Sequence, residues 1–130
     1  MEFYEAYSLE RDREYVERLQ AATVQHGEFA LDSDHGLVGS KQWWEAIRDT
    51  QISTTRIEGE IVDIRLNAGS WPEFEVCADG ASSTWCLEGD IKTYRVGGLV
   101  RIDYVIVRYA KPPPEGDDAV KIVLGIWVET

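Results

Sequence analysis

The sequence predicts an α+β domain in which two N-terminal helices precede a five-stranded, strongly curved antiparallel sheet. Three observations carry this. Apolar residues recur at steps of three and four in the first third of the chain, they alternate every second residue from Thr54 onward, and the links between the alternating stretches are too short for crossover helices. The 130 residues fit one domain, with a helical region over 1–50 and a sheet region over 54–130. Hydrophobic residues make up 44% of the chain and include five Trp, enough for one real core.

The first helix is expected near 9–25. Ser8 supplies a capping hydroxyl, Leu9, Val16, Leu19 and Thr23 form a stripe interrupted by Asp12, and Gly27 ends the segment. Residues 28–39 carry Asp, Ser and Gly and read as a loop. The second helix covers Lys41–Asp49, with Ser40 as N-cap and Trp43, Trp44 and Ile47 on one side. So short a helix depends on the packing of its two Trp.

The first strand, Arg56–Leu66, places Ile57, Gly59 and Ile61 on one face but Ile64 and Leu66 on the other. A β-bulge near Val62–Asp63 brings both sets to one core, and the internal glycine helps the strand bend. The second strand, Glu73–Ala78, turns Phe74, Val76 and Ala78 inward. Asp79-Gly80 marks a hairpin, and the returning strand is expected over Thr84–Glu88 with Trp85 and Leu87 inward. Leu99–Ala110 is apolar on both faces over Tyr104–Val107, which predicts a central position. Pro112–Pro114 and the acids after them make a stiff loop before the last strand, Ala119–Glu129.

On the bent strand Arg56–Leu66 and on Val96-Gly97-Gly98-Leu99-Val100 leading into the fourth strand, residues 54–130 resemble an OB-like barrel. Gly89–Arg95 departs from that pattern, being too short for the helix that OB folds often place before the fourth strand. The rival architecture is an open curved sheet with both helices on its concave face. The resemblance implies a binder of single-stranded nucleic acid or oligosaccharide.

The chain holds 24 acids against 13 bases, a net −11. Residues 1–40 carry −6 and residues 41–130 carry −5, so no basic half is hidden. Phosphate backbones and anionic membranes are held by Lys and Arg, which makes nucleic acid and lipid poor partners. A nucleic-acid groove would need a stripe from Arg56, Arg65, Lys92, Arg95, Arg101 and Arg108, several of which have acids nearby. The start of the chain is acidic without an apolar core segment, and no apolar run approaches about 18 residues. The expectation is a cytoplasmic protein with reduced cysteines.

A four-residue loop over Gly80–Ser83 would set Cys77 opposite Cys86 and Glu75 opposite Glu88, a thiolate and carboxylate set with a zinc reading. Two reduced thiols on a semi-exposed face is the expectation kept, because structural zinc sites show tighter cysteine spacing. Asp32, Asp34 and His35 share a loop, with no nucleophile in a recognisable pattern. A hydrolase would need them gathered in a cleft. Glu58 with Glu60, and Glu73 with Glu75, sit at alternate outward positions and read as ordinary solvated carboxylates. Gly97-Gly98 precedes a strand, so it offers no helix N-terminus to a phosphate. No catalytic residue, cofactor site or metal site is assigned.

Trp43, Trp44 and Trp85 read as core. The residues expected to form a contact surface are Trp71, Tyr104, Arg108, Tyr109 and Trp127. Together these features favour a non-enzymatic acidic domain that binds a protein partner, a basic one being the sharper expectation. An immunity-like protein that neutralises a toxin, or a regulatory protein, is the concrete form. A homodimer paired through the exposed terminal strand Ala119–Glu129 is left open.

Overall fold

The computed structural model describes residues 2–26, 30–67, 69, 71–111 and 116–130. It is an α+β chain with a six-stranded sheet in the order β1-β6-β5-β2-β3-β4. The strands are β1 (Phe3–Ser8), β2 (Thr55–Arg65), β3 (Glu73–Ala78), β4 (Ala81–Cys86), β5 (Leu99–Arg108) and β6 (Ala119–Glu129), and the helices are α1 (Arg13–Val24) and α2 (Lys41–Arg48). Two compact units are distinguished. One holds Met1–Ser8, Arg56–Asp103 and Gly125–Thr130, and the other holds Leu9–Thr55 and Tyr104–Leu124.

The first correction is the strand before the helices. Phe3–Ser8 pairs antiparallel with β6, Phe3 opposite Glu129 and Tyr4 opposite Val128. Ser8 is therefore the last residue of a strand. Leu9–Arg11 form a 3-10 turn, and α1 begins at Arg13 with Asp12 as its cap, Oδ1 accepting from the Tyr15 N–H at 3.3 Å. Leu9, expected on the helix stripe, is fully buried in the turn instead. The six strands replace the expected five, and β6 is paired on both sides, by β1 and β5. The idea of a dimer through an exposed β6 edge falls with that. Gly27, expected to end the helix, and the Pro112–Pro114 stretch lie outside the described residues.

In the first unit, β2 bends as anticipated. Ile61 pairs with Val76 and Asp63 with Glu75, so Val62 is the extra, bulged residue, and Ile61 and Ile64 both turn toward the apolar side. A Cβ on Gly59 would run into the carbonyl oxygen of Cys77, so only glycine lets the two strands approach there. The core is built from one face of the strands: Ile61, Phe74, Val76, Trp85, Val100, Ile102, Ile126 and Val128 are all buried. Tyr94 closes it, 5.0 Å from the Phe74 ring, with its hydroxyl donating to the Glu88 carbonyl at 2.7 Å. Among the described residues β1 and β4 each hydrogen-bond to one strand, so the sheet is open rather than a closed barrel. It is nonetheless curled. The backbone at Gly89, just past β4, lies against the carbonyl oxygen of Ala6 in β1.

The hairpin register is the second correction. Asp79 and Gly80 both have positive φ, 52° and 79°, which makes a two-residue turn rather than a four-residue loop. Strand β4 starts at Ala81, Cys77 faces Ser82, and Cys86 faces Glu73. The inward set becomes Phe74 opposite Trp85 and Val76 opposite Ser83, and the two thiols are not partners.

In the second unit, Ser40 caps α2 as read from sequence, its Oγ accepting from the Trp43 N–H at 3.2 Å. Trp43 is buried and meets Trp44 edge to face, with ring centroids 4.9 Å apart. Gly36 and Gly39 take φ of 88° and 82°, and Gly39 abuts Val16 of α1, where a Cβ would stand 2.5 Å from Cγ1. Gln20 Nε2 donates to the Val38 carbonyl at 3.0 Å and tethers the same loop. Leu31 bridges Tyr109 beside β5. β5 occupies an interior position, as its two-sided apolarity suggested, with Tyr104 and Val105 both buried and Ile106 exposed.

Candidate protein-binding surface

The face of the first unit's sheet opposite the core is polar on every strand. Phe3 and Glu5 of β1 lie beside Glu129 and Trp127 of β6. Arg101 and Asp103 of β5 meet Glu58 and Arg56 of β2. Beyond the bulge, Asp63 and Arg65 continue the face to Glu75 and Glu73 of β3, which lie opposite Thr84 and Cys86 of β4. None of these side chains is buried. Eight carboxylates, Glu5, Glu58, Glu60, Asp63, Glu73, Glu75, Asp103 and Glu129, share the face with three arginines, Arg56, Arg65 and Arg101.

The arginines are committed. Arg56 binds both oxygens of Asp103 and stacks on Trp127, whose ring lies over Gly125. Arg65 reaches Glu73 and Asp63 at 2.8 Å, Glu75 at 3.2 Å and the Thr84 hydroxyl at 3.3 Å. Hydrogen bonds to Glu73, then Asp63 and Glu75, push its proton affinity above the ordinary guanidinium value. Arg101 holds Glu58 at 3.2 Å and sits 3.9 Å above the Phe3 ring. Arg95 pairs with Glu129 at 3.5 Å. Four of the six cations that a nucleic-acid groove would require are thus paired with carboxylates, which favours the protein-binding reading over that alternative. Cys86, though exposed, has its thiol pushed up by partial desolvation against its neighbours and then by the acids Glu88 and Glu73.

The residues expected at a contact surface fall in both units. Trp71, half exposed in the turn after β2, and Trp127, half-buried under Arg56, belong to the first unit. Tyr104, Arg108 and Tyr109 belong to the second. There Tyr104 is buried with Lys121 Nζ 5.2 Å from its ring, Tyr109 is half-buried, and Arg108 is exposed. What sequence reasoning missed is the acidic ladder itself. Its signal was present in the alternation of Glu58, Glu60, Glu73 and Glu75, but only strand order shows that they share one face with Asp103 and Glu129.

The second unit holds a cavity of about 360 Å³ lined by Asp32, Asp34, His35, Trp43, Ile106 and Arg108 among others. The loop acids and His35 do converge there. Asp32 Oδ1, however, accepts the Asp34 N–H at 2.9 Å and so braces its own loop, and His35 is exposed. Among the described residues no three His, Cys, Asp or Glu are grouped to hold a metal ion, and the hairpin register parts Cys77 from Cys86. No helix among them is long and apolar enough to cross a membrane.

A small α+β chain whose developed surface is a solvent-facing charged sheet belongs among protein-binding domains. The family model described as immunity protein RhsI2 matches residues 3–129, and the chain belongs to that family. No curated protein matches it. Its role is immunity-like, and it binds a protein partner.

Proposed function

We propose that the protein neutralises a basic toxin in the cytoplasm by presenting the acidic face of the first unit's sheet, with Trp127 and the exposed Trp71 as apolar contacts within and beside it. The carrying observation is the surplus of eight carboxylates over three arginines on one face, each arginine already paired. Such a field accelerates encounter with a positive surface more than it deepens affinity. The free thiols of Cys77 and Cys86 accord with a reducing compartment. The whole chain, 1–130, works as one domain in this reading, without enzymatic chemistry of its own.

The test is the association rate with an inactivated toxin encoded beside the gene. Glu58→Lys combined with Glu60→Lys should slow association about tenfold or more at low ionic strength, with the gap closing near 0.5 M salt. An association rate that neither the double variant nor salt alters would refute the acidic face as the steering surface.

A further inference from the structure

We infer that the outer edge of β4 is a strand-addition site, at which an extended, basic segment of the toxin extends the sheet. This rests on the immunity reading for the partner's identity, and on separate geometry for the site.

In an antiparallel pair, residues alternate between those bonded to the partner strand and those turned away from it. The Leu87 N–H donates to the Pro72 carbonyl at 2.9 Å, and Val76 faces Ser83 while Ala78 faces Ala81. Ala81, Ser83 and Trp85 therefore spend their backbone groups on β3. Ser82, Thr84 and Cys86 turn theirs outward, and all three residues are exposed. β4 is the end of the sheet. It carries no Lys, no Pro, no charge and no bulge, the devices by which proteins block such edges. At the other end of the sheet β1 has a register shift between Glu5 and Tyr7. The backbone at Gly89, just past β4, lies on its Ala6 carbonyl, so the accessible stretch of the β4 edge is Ser82–Cys86.

Charge selects the occupant. A second copy would bring another −11 against this edge, so self-pairing is opposed without any local block. A strand added to β4 would lie ~5 Å beyond it, placing alternate side chains on the acidic face near Glu73, Glu75 and Glu88. Lys or Arg at those alternate positions matches that field.

Thr84→Pro tests the inference. It removes an outward N–H and no bond to β3, on an edge where proline is tolerated. Thr84→Ser keeps both the N–H and a hydroxyl able to accept from Arg65, and serves as its partner. With inactivated toxin, Thr84→Pro should weaken binding at least 100-fold, mainly through faster dissociation, while Thr84→Ser stays within about threefold. Unchanged circular dichroism establishes that the variant folds. Independently, amide exchange at Ser82, Thr84 and Cys86 in wild-type protein should slow at least tenfold on toxin addition. Wild-type binding by Thr84→Pro, or unprotected amides at those three residues in the complex, overturns the inference. If the Glu58/Glu60 variant still slows association in that case, the acidic-face reading survives alone.

Discussion

Arg56 and Asp103 meet across β2 and β5 in a two-pronged contact, Nε to Oδ1 at 2.6 Å and Nη2 to Oδ2 at 3.0 Å, while the guanidinium also lies 5.6 Å from the centre of the Trp127 ring. One side chain thus ties three strands together on the solvent face. Because it is half exposed, the ion pair is screened and its contribution is small. Arg56→Ala should lower stability by only about 0.5–1 kcal/mol in urea unfolding, with a red shift of Trp127 emission as the ring loses its cover. A loss above about 2 kcal/mol would mean that the contact is far better shielded than its exposure indicates.

The hairpin register separates the two thiols by about four residues along the strands, roughly 13 Å. Mild oxidation should leave no Cys77–Cys86 disulfide by mass spectrometry of the non-reduced protein. Alkylation of Cys86 at pH 8 should run slower than for a model thiol, since partial desolvation and the neighbouring Glu88 and Glu73 raise its proton affinity.

Two glycines with similar backbone angles should respond differently to alanine. Gly39 has φ of 82° and no room beside Val16, whereas Gly80 has φ of 79° and open space around it. Gly80→Ala should cost about 1 kcal/mol, from the left-handed backbone alone. Gly39→Ala adds overpacking and should cost about 2–4 kcal/mol. Equal melting temperatures for the two would contradict the close approach of α1 to the Gly36–Ser40 loop.

Tyr94 sets an alkaline limit. Burial, and then the charge of Glu88, push its phenol well above the ordinary value of 10. The folded state therefore holds the proton that the unfolded chain releases. Its contribution is intact below about pH 10 and is lost as pH rises from there toward the folded value. Thermal melts from pH 8 to 11.5 should decline above pH 10, and Tyr94→Phe should flatten that decline while costing about 1 kcal/mol at neutral pH for the lost bond to the Glu88 carbonyl.

The cavity of the second unit supplies a contrast with catalysis. His35→Ala and Asp34→Asn should leave protection of toxin-expressing cells unchanged, because His35 is exposed and the proposed binding face belongs to the first unit. Loss of protection with toxin binding retained would assign chemistry to that loop.

Much of the architecture was legible locally. Ser40 and the Trp43-Trp44 pair mark α2, the parity break between Ile61 and Ile64 calls for the bulge at Val62, and the Asp79-Gly80 dipeptide places a turn. The errors came where two readings of a short segment were equally good. Phe3–Ser8 sits directly before a helical stripe, and nothing within six residues reveals that β6, more than a hundred positions away, offers it a partner. The length of the hairpin loop fared likewise. Asp-Gly favours a two-residue turn, yet an alternative register also kept the apolar faces matched.

The amino-acid order by itself determined the α+β class of the fold, the negative charge and the bulged strand, because each follows from periodicity or composition within a short window. Only tertiary structure decided which carboxylates share a face, that every arginine among them is already paired, and that β1 and β4 end the sheet. Those properties depend on strand order and register, which are set by side-chain packing between residues distant in the chain and not by any one segment.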